Sequence, residues 1–188
     1  MSEIFDVNRI IIFVLVSILI VAFSWRSLKN PAHHGFYRFF VFEGILLIIV
    51  LNIPYWLDSL KSPIQLLSGF FLLTSIYLVI RSLSTMKTLG GKRAIDKMPE
   101  NYNFENTTNL ITTGIFKYIR HPMYGSLLFL AWGALLKHLT WYGLILAIGV
   151  SFQIYRTAKK EEEENIAFFG EAYINYMQQT KMIIPFIF

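Results

Sequence analysis

Arg120-His121-Pro122-Met123-Tyr124-Gly125-Ser126-Leu127-Leu128-Phe129-Leu130-Ala131-Trp132 passes from a polar loop into an apolar helix within a few residues. Proline fits the first turn of a helix because its missing N–H would have had no partner there and its φ is already helical. Pro122 is therefore predicted as the first residue of a membrane helix, with His121 at or beside the cap. The free amide hydrogens of that turn and the positive end of the helix dipole make a ready anion site. Arg120 and His121 add side-chain donors to it. Some forty residues later the run Glu161-Glu162-Glu163-Glu164 supplies the opposite charge. Charge this concentrated beside hydrocarbon needs a polar ligand.

Around this stretch the apolar residues fall into blocks too long for soluble core helices, in a chain that is 55% hydrophobic and only 15% charged. A helix needs about 20 residues to cross hydrocarbon, with a lower range near 17. Residues 10–25, 39–57, 64–80, 124–139 and 140–155 qualify or nearly qualify. The last two are short, separated by little more than Lys137-His138, and are predicted as a tight helical hairpin that spans incompletely or with tilt. The first block lacks a small-residue cleavage site and runs on into Trp25-Arg26, so it is expected to stay as an anchor helix. The predicted fold class is all-α: a polytopic bundle of about five transmembrane helices followed by an interfacial helix.

Basic residues orient the bundle, because cytoplasmic loops carry the excess of lysine and arginine. Arg26, Lys29 and Arg38 mark the first loop; Arg81, Lys87, Lys92, Arg93, Lys97, Lys117 and Arg120 the third; Arg156, Lys159, Lys160 and Lys181 the tail. Placing these segments inside puts 14 of the 17 basic residues in the cytoplasm, the C-terminus with them and the N-terminus outside. The net charge of +5 is thus mostly a topology signal, drawn also to anionic lipid headgroups, and it implies no nucleic acid. The chain has no cysteine, which excludes disulfides, a thiolate nucleophile and thiolate metal sites. Four histidines without a His-x-x-x-His or His-Glu-x-x-His pattern argue against a di-iron oxidase or a zinc protease, and no metal is expected. Leu89-Gly90-Gly91-Lys92 follows no strand pattern and lacks the G-x-G-x-x-G spacing, which excludes a Rossmann-type nucleotide fold.

The chain divides at about residue 84, giving an anchor half (1–84, three transmembrane helices) and a chemical half (85–188, the hairpin and a C-terminal cytoplasmic helix). Residues 84–119 form the one long polar stretch, with Gly90-Gly91, Pro99 and an Asn-rich run from Asn101 through Asn103 and Asn106 to Asn109. Because a loop of this length is usually functional and this one runs into Arg120, a lid or site wall is expected. Residues 156–179 suit a helix interrupted near Gly170 that lays an apolar face on the membrane or bundle and turns its glutamates towards residues 120–124. Glu43, an acid inside the second span, is a functional candidate by default, with a snorkelling role or a pair with Arg26 or Arg38 as the plainer reading.

The Arg120-His121-Pro122-Met123-Tyr124 segment and the downstream Glu161-Glu162 pair resemble the isoprenylcysteine carboxyl methyltransferase family and related integral membrane phospholipid methyltransferase-like proteins, which share an Arg-His-Pro-x-Tyr segment and a Glu-Glu pair. The likeness extends over residues 85–188, including Phe169-Gly170-Glu171-Ala172-Tyr173 and Ile184-Pro185. It implies an integral membrane enzyme, expected in a bacterial inner membrane, that uses S-adenosyl-L-methionine at the cytoplasmic face. Its acceptor would be a lipophilic small molecule or a lipidated one entering from the bilayer lipids. It also implies that Thr108, Asn109, Leu110, Ile111, Phe116, His121, Pro122, Met123, Tyr124 and Glu161 or Glu162 line the cofactor pocket. Arg120 and Arg156 are the catalytic candidates. Arg156 lies near where family members carry an arginine that meets the acceptor, although the register differs by one residue and Asn165 stands where a leucine is expected. The competing class is a non-enzymatic helical membrane protein of transport or assembly whose charged clusters bind lipid headgroups.

Overall fold

A computed structural model describes residues 6–91, 100–102, 105 and 107–184. Lys92, Arg93, Lys97, Pro99, Asn103, Asn106 and Pro185 lie outside the described residues. Among the described residues six helices follow in order: α1 (Val7–Leu28), α2 (His34–Asn52), α3 (Pro63–Leu89), α4 (Pro122–Leu135), α5 (Trp141–Phe169) and α6 (Glu171–Gln179). Short 3-10 turns occupy Ile53–Tyr55 and Gly114–Lys117, and no strand is formed among the described residues. The expected all-helical membrane bundle is what the chain builds.

Local chemistry sets the helix ends. Ser62 accepts the amide of Gln65 and Pro63 fills the first turn of α3, while Thr140 caps α5 by accepting from Gly143. Pro122 opens α4 behind His121, where the sequence put it. Gly170, at φ +62, ends α5 and starts α6 at the expected break, in a backbone region that L side chains rarely adopt. Between Trp141 and that glycine nothing interrupts the chain, so the fifth apolar block and the glutamate run form one helix of 29 residues.

Among the described residues, three helices are long and apolar enough to cross a membrane: Val7–Leu28, His34–Tyr55 and Pro63–Leu89. With 14 residues, α4 rises only about 21 Å, short of the roughly 30 Å of hydrocarbon. Its last carbonyls, met by the amides of Leu136, Lys137 and His138, keep further acceptor capacity to be filled. Side chains of the neighbours fill it: Ser68 donates to the Gly133 carbonyl (2.7 Å), Asn52 to that of Ala134 (2.8 Å) and Gln65 to that of Lys137 (2.8 Å).

The core lies where α2 meets α4 and α5, with Val41, Ile45, Ile48, Ala134, Val150 and Ile154 at its centre. The packing thus crosses residue 84. A Cβ on Gly44 would stand 2.4 Å from Cγ2 of Val150, so glycine is what lets α2 and α5 approach. By contrast, α1 packs chiefly on α2 and leaves Ile11, Leu15, Ile18 and Leu19 exposed for lipid. Glu43 is held across that contact by the hydroxyl of Ser17 (2.9 and 3.0 Å), rather than by Arg26 or Arg38. Arg38, Met86, His121 and Glu161 line one cavity, so the start of α2, the end of α3, the start of α4 and the far half of α5 share one face.

Candidate active site

Arg120 is the pin of this face. Its guanidinium meets Glu162 Oε1 through Nε (2.8 Å) and Nη2 (2.7 Å), and its Nη1 donates to the carbonyls of Met177 and Thr180. One side chain therefore ties the loop before α4 to α5 and to the end of α6. The backbone repeats the tie: Arg120 N donates to Lys181 O (2.8 Å), His121 N to Met182 O (3.0 Å) and Lys181 N to Tyr118 O (3.1 Å). The Tyr176 hydroxyl adds a bond to Phe116 O (2.6 Å). Burial alone would raise the Glu162 carboxyl, but His121 and Arg120 together hold it down at about 2.

The cavity in front of the pin has two lobes. An apolar lobe of about 240 Å³ lies among α2, α3 and α4, walled by Phe42, Val79, Met123 and Leu127, with Arg38, Glu105, His121 and Glu161 at its polar end. A more polar lobe of about 90 Å³ is walled by Thr107, Asn109, Leu110, Ile111, Asn165, Phe169, Tyr173 and Tyr176. Met86, Glu105, Phe116, Arg120, His121 and Glu161 line both. Glu161 is 29% exposed against 3% for Glu162, and it accepts a hydrogen bond from the Tyr124 hydroxyl, whose ring stacks 5.3 Å from that of His121. No side chain caps the first turn of α4, so the amides of that turn have no side-chain acceptor.

A second polar cluster closes the far side. Glu105 pairs with Arg38 and accepts from the Tyr102 amide (2.9 Å), while the Arg38 guanidinium lies 4.1 Å from the Tyr102 ring. Burial raises the Glu105 carboxyl, and Arg38 and His34 outweigh it to hold it at about 2. Glu164 caps α2 from α5, accepting from the His34 amide (2.8 Å) and meeting its Nδ1 (2.6 Å). His33, His34 and Glu164 place ligand atoms within 4.8 Å of one another. Each of those atoms is already hydrogen-bonded, His33 Nε2 to Asn101 at 2.8 Å, so the group works as a clamp between α2, the loop and α5.

The phospholipid methyltransferase family profile matches residues 64–173, more than half of the chain. The chain belongs to the phospholipid methyltransferase family. Among curated proteins it is 28% identical over 167 residues to a methanethiol S-methyltransferase of Crocosphaera subtropica, covering 86% of this chain and 64% of that one. A methanethiol S-methyltransferase of Pseudomonas deceptionensis is 26% identical over 149 residues, covering 73% and 55%. The chain thus spans less than two thirds of the length of these relatives. No solved structure matches it.

The family segment carries nearly all of the polar lobe. Of the residues expected there, Asn109, Leu110, Ile111, Phe116, His121, Pro122, Met123, Tyr124 and Glu161 line the cavity. Thr108 is exposed and lines neither lobe, its amide bonded to Gly90 O (2.8 Å), and Glu162 is committed to Arg120. Arg120 reaches the cavity, but as the pin just described. Arg156 is exposed, its guanidinium 4.4 Å from the Tyr37 ring, and lines neither lobe. Arg38, Glu105, Asn165, Tyr173 and Tyr176 were not expected in the site. Arg38 reads in sequence as one more topology-setting cation, and Glu105 as an acid in a polar loop.

Proposed function

We propose that this protein is an integral membrane methyltransferase that uses S-adenosyl-L-methionine, with the cofactor across the polar lobe and a lipophilic acceptor in the apolar one. The reading rests above all on the junction of the two lobes, where Glu161, His121 and the uncapped start of α4 meet an apolar chamber. The donors and walls fit the cofactor. Glu161 suits its ammonium, the α4 amides its carboxylate, and Phe116, Phe169 and Tyr173 offer flat faces to adenine. When bound, the cofactor supplies an electrophilic methyl carbon on a sulfonium. The protein's own task is then to hold a nucleophile in line and exclude water, which is worth many powers of ten in rate. His121 is assigned to positioning the cofactor.

The acceptor has a route from lipid. Phe42, Val79, Tyr102 and Met123 are shared between the apolar lobe and an open groove lined by Ile20, Phe23 and Leu83. The names of the two relatives favour a thiol acceptor; a carboxyl group on an isoprenoid tail is the second choice. Transfer of labelled methyl from S-adenosyl-L-methionine by the purified protein, into ethanethiol or into a lipid of a membrane extract, tests the proposal. Labelled product that depends on the protein is expected. No product from any acceptor, together with no binding of S-adenosylhomocysteine, would leave the headgroup-anchor reading in its place.

A further inference from the structure

We infer that Arg38 takes hold of the acceptor, and that the acceptor attacks as an anion, a thiolate or carboxylate on an apolar body; the inference rests on the methyltransferase reading above. Arg38 sits in the second turn of α2, 3% exposed, at the wall of the apolar lobe. Its Nη1 is taken by Glu105, with His34 Nε2 at 3.4 Å, and the plane of the group lies over Tyr102. Its Nη2 is buried and has no hydrogen-bond partner among the described residues. A buried donor left unmade is costly, and a guanidinium is a rigid fork matched to anions. Glu105 is itself held by the Tyr102 amide, so the fork is fixed in orientation before any ligand arrives.

The surroundings select the ligand. Away from its charged end the lobe offers Phe42, Val79, Met123 and Leu127, with the Ser126 hydroxyl already donating to Met123 O, which suits an apolar body and gives an ammonium group no carboxylate. Both acids at the charged end are engaged, Glu105 by Arg38 and Glu161 by Tyr124 and, in the reading above, by the cofactor's ammonium. Two buried polar atoms at that end have no hydrogen-bond partner among the described residues, His121 Nε2 and Arg38 Nη2. With His121 given to the cofactor in the reading above, the free corner of Arg38 is left for the acceptor, and it repels a protonated amine while attracting an anion. Arg38 also lies outside residues 64–173, the segment matched by the family profile. One group that selects the acceptor thus stands outside the segment that carries most of the cofactor lobe.

The transfer balances on these groups. A thiol beside Arg38 releases its proton to water, because a neighbouring cation stabilises the thiolate. The acceptor sulfur then forms the new S–C bond as the bond from the methyl carbon to the sulfonium breaks, and that bond's electron pair stays on the cofactor sulfur. Two neutral thioethers result. A carboxylate acceptor is ionised at neutral pH and gives an ester with no proton moved.

The test uses the full chain in lipid nanodiscs, as wild type, as Arg38→Lys and as the double variant Arg38→Met with Glu105→Gln, which leaves no buried carboxylate unpaired. Calorimetry measures S-adenosylhomocysteine, and then octanesulfonate in its presence, as an unreactive anion with an apolar tail. Methyl transfer is followed to ethanethiol, to decanoate and to phosphatidylethanolamine vesicles from neutral to alkaline pH. Glu105 also lines the polar lobe, so octanesulfonate is titrated at saturating S-adenosylhomocysteine. Its affinity should then drop about tenfold or more in the double variant, the loss of one charge-assisted bond, and less in Arg38→Lys, which keeps the charge. Transfer to the anion-forming acceptor should collapse at neutral pH in that variant. For ethanethiol it should recover partly as the thiolate forms unaided at higher pH; for decanoate it should not. Whichever of the two acceptors the wild type methylates identifies the source of the anion. Unchanged octanesulfonate binding with S-adenosylhomocysteine binding intact overturns this inference alone, as does wild-type methylation of the phosphatidylethanolamine amine in preference to both anions. A wild type that binds no S-adenosylhomocysteine overturns the methyltransferase reading and this inference with it.

Discussion

Glu161 and Glu162 are neighbours on α5 and end with different duties, Glu161 at the cavity and Glu162 in the grip of Arg120 and His121. Removing one partner of a buried ion pair costs roughly 3 to 5 kcal/mol. Glu162→Gln is therefore expected to lower the melting temperature in detergent markedly, while Glu161→Gln lowers it little; equal losses would contradict this division. The pH response follows with a definite sign. The folded Glu162 and Glu105 carboxyls titrate near 2, below their ordinary value of 4.5, so their contribution is full above about 4.5 and is lost as pH falls towards 2. Melting temperature should fall below about pH 5, less steeply in Glu162→Gln; identical slopes would contradict the assignment. The sequence brought out both glutamates because acids beside an Arg-His-Pro segment ask for an explanation. Which one faces inward depends on how α5 is rotated against α4, and a run of four acids carries no mark of that rotation.

At the scale of the elements, α4 is a helix too short for its membrane, kept in place by side chains of its neighbours. Asn52, Ser68 and Gln65 close its C-terminal carbonyls, and each is a lone polar residue whose partner lies more than sixty positions away. Nothing local in the sequence shows such a cap. Asn52→Leu should destabilise the bundle by about 1 to 2 kcal/mol, an interhelical bond lost in an apolar setting. Denaturant titration in mixed micelles measures it, and no change would mean that the Lys137 amide, 3.3 Å from the Ala134 carbonyl, satisfies it alone. The start of α4 at Pro122 and the break at Gly170 were legible because proline and glycine act through their own backbones. The extension of α3 to Leu89 was not, because hydropathy marks where a helix leaves the membrane and not where it ends.

The whole molecule brings four helix ends to one face, and with them most of the basic loops that orient the chain. We propose that this face is cytoplasmic. Reporter fusions after Leu28, Leu89 and Phe169 should report inside and a fusion near Leu60 outside; the reverse pattern would invert the topology and separate the site from a cytoplasmic cofactor supply. That the chain is a helical membrane bundle was plain from its apolar blocks. That α2 packs on both α4 and α5, carrying Arg38 into the site, was not, because apolar faces alone do not say which helices pair. The central claim is that the junction at Glu161 binds the cofactor. Calorimetric titration of the purified wild type and of Glu161→Gln with S-adenosylhomocysteine tests it most directly. The expected result is micromolar binding by the wild type, weakened about tenfold to a hundredfold in the variant by loss of one charge-assisted bond. Equal affinity in both proteins, or no binding by either, would contradict it.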